Sequence, residues 1–301
     1  MTQTVQVIPR PTSADPRLPA HGRVEVEALT GTPVTWTPVV GGYGVEVWKV
    51  SGPQGEWMLK VGLGPGAQKV AREAVVWSRI AGMVPAASHG SGCRYGLGAA
   101  AAWLATRWLN GPSLWELFAP VRQHMAKTYE GAVTAAVETC LAVAAVHEKG
   151  WVHGSLQPWH ITMTPDGVRL IDWAWAWSPT GDLPPADAYT GALVHLSSPE
   201  MLAREELPMR ITPADEVWSL AATLWWAASG RWPRDYRAMG IDPDTFTAAE
   251  LANVVVRHRA PLGRLGHWPE LETALRTVLT APEEKRPTAM SLARHLGVLS
   301  L

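Results

Sequence analysis

Two stretches of this 301-residue chain place polar side chains where chemistry is possible. The first is Glu56 to Val61, EWMLKV, in which Lys60 sits among apolar residues. A lysine in a buried strand loses solvation unless an opposite charge faces it. At a strand edge the same lysine would snorkel its ammonium to water. Glu73 is the one acidic residue of the helical pattern that follows, and so the natural partner for Lys60. The second stretch is Gly150 to Trp177, GWVHGSLQPWHITMTPDGVRLIDWAWAW, which gathers His153, Ser155, Gln157, His160 and Asp172. A serine hydroxyl has neither the charge nor the basicity of a general base. A neutral imidazole is a poor ligand for hard Mg²⁺, which prefers oxygen. His160 could instead take a softer metal, act as a displaced base, or be a hydrogen-bonded structural residue.

The elements around these residues follow from local patterns. Met1 to about Gly31 is polar and carries Pro9, Pro11, Pro16 and Pro19, which predicts an extended arm. Thr30 to Pro38 alternates as a strand. Val39 to Val50 holds two apolar runs around Gly41, Gly42 and Gly44, a strand–turn–strand hairpin. Hairpins use glycine for steric reasons alone, so this signal is weak by itself. Gln68 to Ile80 is a helix with Val70, Ala74 and Trp77 on one face. Gly90 to Ala105 reads as two strands. Ser113 begins a short capped helix ahead of Glu116. Thr128 to Lys149 is a long helix ended by Gly150, and Leu220 to Ala228 is a short, buried apolar helix.

Bulk composition narrows the function classes. The chain is 47% hydrophobic, enough for a large core in one domain or a two-lobed one. The net charge of −1 offers no basic surplus for nucleic acid or an anionic membrane. Cys93 and Cys140 have no metal-ligand spacing and form no disulfide framework, so they read as buried thiols in a reducing cytoplasm. Met1 to Arg10 lacks the apolar core of a signal peptide, and no run is expected to reach the length of a membrane helix. Seventeen tryptophans stand against two phenylalanines. They are read either as core residues or, for Trp173, Trp175 and Trp177, as lining of a ligand or peptide groove.

The order of the motifs resembles protein kinases, most closely the bacterial serine/threonine kinases. His153-Gly154-Ser155-Leu156-Gln157-Pro158-Trp159-His160 resembles the family's H-R-D-L-x-x-x-N, and Asp172-Trp173-Ala174 its D-F-G. Ser197-Ser198-Pro199-Glu200 matches the A-P-E position. Ala214 to Leu220 resembles the start of the large buried helix, with Glu216 rather than Asp215 in the aspartate's place. Lys285-Arg286-Pro287-Thr288 resembles the R-P-T signature, which implies a Glu200–Arg286 bridge. The matches span about Val39 to Leu296. They imply an α+β fold of two lobes, a small antiparallel-sheet N-lobe with one helix and a larger, mainly helical C-lobe. The corresponding organisation is an arm over residues 1–31, an N-lobe over 32–109 and a C-lobe over 110–301.

The resemblance also assigns roles. Gly41, Gly42 and Gly44 fall in the phosphate loop, one residue off the usual frame. Lys60 and Glu73 would hold the phosphates, Thr106 is the gatekeeper, and Trp108 lies in the hinge, where backbone groups contact adenine. Asp172 would hold Mg²⁺ beside ATP. The departures are specific. Ser155 replaces the base aspartate, His160 the asparagine that holds a second Mg²⁺, Gly154 the arginine that pairs with loop phosphate, and Ala174 a glycine. The resemblance therefore implies a pseudokinase that keeps the parts for ATP with Mg²⁺ and acts through a protein or peptide partner. One alternative is an active, divergent serine/threonine phosphotransferase, for example one that phosphorylates a precursor peptide before elimination. The other is a nucleotide-independent peptide-binding module. None of the three implies a nucleic-acid or membrane partner.

Overall fold

The computed structural model describes residues 19–300, except 43, 88–92, 99, 126–128, 180–192, 205–209 and 259, and describes the backbone alone at 40, 258 and 300. The chain divides into two compact units, Met1–Asn110 and Gly111–Leu301. Most of the expected N-terminal arm, and Pro184 and Pro185 of the segment after Asp172, lie outside the described residues.

The first unit is built on a five-stranded antiparallel sheet in the order β1-β2-β3-β5-β4. The strands are β1 (Thr35–Gly42), β2 (Val45–Gly52), β3 (Gly55–Leu63), β4 (Cys93–Leu97) and β5 (Ala101–Arg107). Alternation sorts the residues of β3 between two faces. Trp57, Leu59 and Val61 join Trp48, Val50 and Ala105 in one core cluster. Met58, Lys60 and Gly62 point the other way. There the helix α2 (Pro65–Ile80) packs Ala67, Val70 and Ala74 against Ala102 and Leu104 of β5.

The first face corrects the sequence expectation. Within the stretch expected to be an extended arm, Arg23–Thr30 is an α-helix, α1. Val26 of α1 is fully buried in the tryptophan-rich cluster. Gly22 and Gly31 bound the helix, both with positive φ. The prolines that argued for an extended arm end at Pro19, so the helix starts just beyond them. The strand expected over Thr30 to Pro38 begins later, at Thr35.

The second unit is mainly helical. Its helices are α3 (Leu114–Leu117), α4 (Ala119–Arg122), α5 (Tyr129–Glu148), α6 (Pro199–Ala203), α7 (Pro213–Ser229), α8 (Ala248–His258), α9 (Pro269–Leu279) and α10 (Ala289–Gly297). A two-stranded ribbon, β6 (Ile161–Thr164) with β7 (Gly167–Leu170), lies between α5 and Asp172 in sequence. α7 is the unit's centre: every residue from Leu220 to Ala228 is buried. Thr212 and Asp215 close its N-terminus with a reciprocal capping box.

By length and composition α5 is apolar enough to cross a membrane, contrary to the sequence expectation. Its alanine-rich sequence raises its hydropathy without bulk. Cys140, Val143 and Val146 are buried within this unit, and the helix packs against α10 and α7. The tryptophans also resolve chiefly as core. Trp173, Trp218 and Trp225 are fully buried. Trp173 donates its indole N–H to the Leu170 carbonyl (2.8 Å), so it packs inside the unit instead of lining a groove. Trp175 and Trp177 are half-buried.

Candidate functional site

In the first unit, strand β3 aims Lys60 toward α2, where Glu73 occupies the inward face. The Lys60 Nζ to Glu73 Oε2 distance is 2.6 Å, with side-chain exposures of 13% and 5%. The pair forms because each charge, buried alone, would be costly. Thr106 lies on the same face of the sheet as Lys60, since the register pairs Lys60 with Leu104 and Met58 with Thr106. It is buried, and its hydroxyl has no hydrogen-bond partner among the described residues. Trp108 donates its backbone N–H to Glu56 (3.0 Å), and Lys49 sits over its ring at 4.9 Å. That N–H is therefore engaged within the sheet.

The glycines of the hairpin separate by role. Gly44 has φ of 76°, and its carbonyl accepts the Leu63 N–H at 2.7 Å. A side chain there would strike the Leu63 carbonyl, so Gly44 serves the close packing of the turn. A side chain at Gly42 would meet nothing within 4 Å, and one at Gly41 only the Val45 carbonyl at 3.8 Å.

In the second unit, the loop from His153 to His160 is held by backbone and side-chain bonds on several sides. Val152 pairs with Trp177 through two backbone hydrogen bonds. His153 is fully buried and edge-on to Trp173, with ring centroids 4.5 Å apart. Its Nδ1 accepts the Ser155 N–H (3.2 Å), so its Nε2–H donates to the Ile171 carbonyl (2.9 Å). Burial pushes its pKa down to about 4, which keeps the ring neutral.

Helix α7 anchors the loop twice from one face. Glu216 accepts the Gly154 N–H at 2.6 Å, and Thr223, two turns further on, donates to the Leu156 carbonyl at 3.1 Å. Glu216, rather than Asp215, is thus the acid that braces the loop, as the count from Leu220 predicts. Its other oxygen meets His147 Nε2 of α5 at 2.8 Å. Burial works to raise the Glu216 pKa. The His147 hydrogen bond, nearby charges and the Gly154 N–H outweigh it, and the carboxyl titrates below its usual range. His147 was not foreseen; its signal was a histidine in the last turn of the helix leading into the loop. Asp215 instead accepts from Ser198 at 2.7 Å and pairs with Arg204.

Gly154 has φ of 77°, and an added Cβ would lie 2.5 Å from the Trp175 carbonyl. No side chain, least of all an arginine, fits there without backbone movement. Ser155 is 2% exposed. Its carbonyl accepts from His160 Nδ1 at 2.6 Å. His160 Nε2 then points at Asp172 Oδ2, 3.6 Å away. Asp172 is in the left-handed region, φ 66° and ψ 61°, which aspartate tolerates better than most residues. Gln157 contributes its backbone carbonyl to the His160 N–H at 2.9 Å. Farther along, Arg286 meets Glu200 at 3.0 Å; the arginine is buried and the glutamate a third exposed.

The donor chemistry fits the family's metal only in part. Asp172 offers the hard oxygen that Mg²⁺ prefers, whereas His160 offers nitrogen. No group of three or more metal-binding side chains occurs among the described residues. Lys60 and Glu73 belong to one unit, and Ser155, His160 and Asp172 to the other.

No family model matches the chain. It is 29% identical over 206 residues, 65% of its length, to a probable serine/threonine-protein kinase PkwA of Thermomonospora curvata. It is 29% identical over 202 residues to the serine/threonine-protein kinase AfsK of Streptomyces griseus, and 28% identical over 137 residues to AfsK of Streptomyces coelicolor. The first two matches cover 24% and 23% of those proteins, so the chain spans about a quarter of the length of these curated relatives. An antiparallel N-terminal sheet followed by a helical second unit is the architecture of a kinase-like fold, and in sequence the chain is similar to bacterial serine/threonine kinases.

Proposed function

We propose that the chain is a pseudokinase that retains the means to hold ATP but lacks the means to transfer its phosphate, and that it acts through a protein or peptide partner. The observation that carries this reading is Ser155. It stands at the base position, buried, with its N–H bonded to His153 and its C=O to His160. A serine hydroxyl supplies no charge to orient a substrate alcohol and no basicity to accept its proton. The nucleotide half of the reading is supported by the Lys60–Glu73 pair and by Asp172. A lysine ammonium suits phosphate oxygens, and a carboxylate suits the accompanying metal ion.

A second reading, a divergent phosphotransferase acting on a peptide, is favoured by that same set of three. Transfer through a loose transition state is slowed, not abolished, by loss of a base. The two readings separate in a phosphotransfer assay on serine- and threonine-containing peptides with Mg²⁺ and with Mn²⁺. The pseudokinase reading predicts no turnover above background. Robust turnover that disappears in Lys60→Ala would sink it in favour of the enzyme.

A further inference from the structure

Apart from the residues that bear on a phosphate, the second unit carries a continuous run of aromatic rings. Trp115 of α3 and Trp159 of the loop lie tilted against each other, with ring centroids 4.8 Å apart. Both meet Trp226 of α7, at 5.7 and 4.8 Å. Trp226 meets Trp232 at 4.2 Å, and Trp232 stacks on His195 at 4.1 Å. Trp226 is the buried base of the run, whereas Trp115 and Trp232 are half-buried and Trp159 is 36% exposed. The turn that presents Trp159 is held by the buried Pro158 before it and by the His160 N–H bonded to the Gln157 carbonyl after it. A solvent-facing indole fixed on an aromatic base is contact surface that loses little freedom when it is covered.

We propose that Trp115, Trp159 and Trp232 form a docking surface for a proline-containing, acidic peptide segment of a partner protein. Pyrrolidine rings pack on indole faces, and a proline-rich segment is already extended, so it pays little entropy to lie along them. The charge around the run selects an acidic segment. Arg122 lies over Trp115 at 3.8 Å and donates to the Ala227 and Trp115 carbonyls at 2.7 and 2.8 Å. Arg231, just before Trp232, is exposed. The carboxylates that flank the run in sequence are turned into their own turns: Glu116 accepts from Ser113, and Asp235 accepts from the Ala238 N–H. Arginine therefore sets the charge an incoming peptide meets, and a basic peptide would meet its own sign. The inference rests on the partner half of the proposed function and does not depend on nucleotide.

The test selects binders of the full chain from a displayed library of randomised short peptides, then measures the selected peptides by fluorescence anisotropy. The expected peptides carry proline beside aspartate or glutamate, and lose affinity when the proline is replaced by alanine or the acid by lysine. In Trp159→Ala their affinity falls by about tenfold or more, and Trp159→Phe restores part of it. Arg231→Glu, a surface change that keeps the test open if Trp159→Ala fails to fold, also weakens them. Phe246→Ala, which removes an equally exposed ring elsewhere in the unit, leaves them unchanged. Three results overturn the proposal: no peptide enriched above background, enriched peptides that are basic or lack proline, or equal affinity for wild type and Trp159→Ala. Equal affinity would retire this surface and leave the partner reading standing. The pseudokinase reading fails separately, by robust turnover in the phosphotransfer assay.

Discussion

The two units treat their polar residues differently. In the first, Lys60 and Glu73 make a direct ion pair, charge facing charge at 2.6 Å. In the second, His153, Ser155 and Glu216 have their polar groups turned inward, onto Ile171, His160, Gly154 and His147. The loop is braced on several sides, and Ser155 within it is buried. Backbone bonds and buried packing therefore hold this loop without any bond from the Ser155 hydroxyl. Gly154 shows the same priority. It occupies a position where contact with Trp175 excludes any side chain, so the departure from arginine is coupled to how the loop closes.

If the loop is held by bracing, the largest loss comes from removing its central acid. Glu216→Ala leaves the Gly154 N–H and the His147 ring without their partner in a buried setting. It is expected to destabilise the protein by about 4 kcal/mol in urea unfolding. A change under about 1 kcal/mol would mean that the loop is held by packing and that the contrast with the first unit is overstated.

Acid should act next. The folded-state pKa of His153 lies below its unfolded value, from the usual 6.5 to about 4. The unfolded chain therefore binds the proton first. Stability is full above about pH 6.5 and is lost as pH falls toward 4, by about 3 kcal/mol for this residue. His195, also buried and also pushed down to about 4, adds in the same direction. Chemical denaturation from pH 7.5 to 4.5 measures the slope. His153→Gln should flatten it, and an unchanged slope would remove His153 from the account.

Gly154→Ala is a smaller perturbation. The methyl must displace the Trp175 carbonyl and adopt a positive φ, at an expected cost of about 2 kcal/mol. A neutral result in the same unfolding experiment would show that the loop yields easily there, and would reopen the position to the arginine seen in the family pattern.

Much of this was legible in the sequence. Lys60 and Glu73 could be paired because one helix offered one acid. Glu216 could be placed by its distance from Leu220, because an α-helix fixes which residues share a face. The inward turn of the loop was not legible. It depends on backbone carbonyls of Ser155, Leu156 and Ile171 meeting particular side chains, and residue types do not reveal those carbonyl directions. Helix α1 was hidden because prolines dominate the stretch before it, and its stability comes from burying Val26 against Trp48 and Trp57, which are distant in sequence. Trp173 was read as possible groove lining because its burial and its bond to Leu170 are tertiary facts.

The most direct test of the central claim is a thermal-shift titration with ATP and a divalent metal on wild type beside Lys60→Ala, each compared with its own ligand-free midpoint. The account predicts that ATP stabilises wild type in a concentration-dependent way and leaves Lys60→Ala unchanged. No stabilisation of wild type by ATP with any divalent metal, or an equal shift in both proteins, would contradict it.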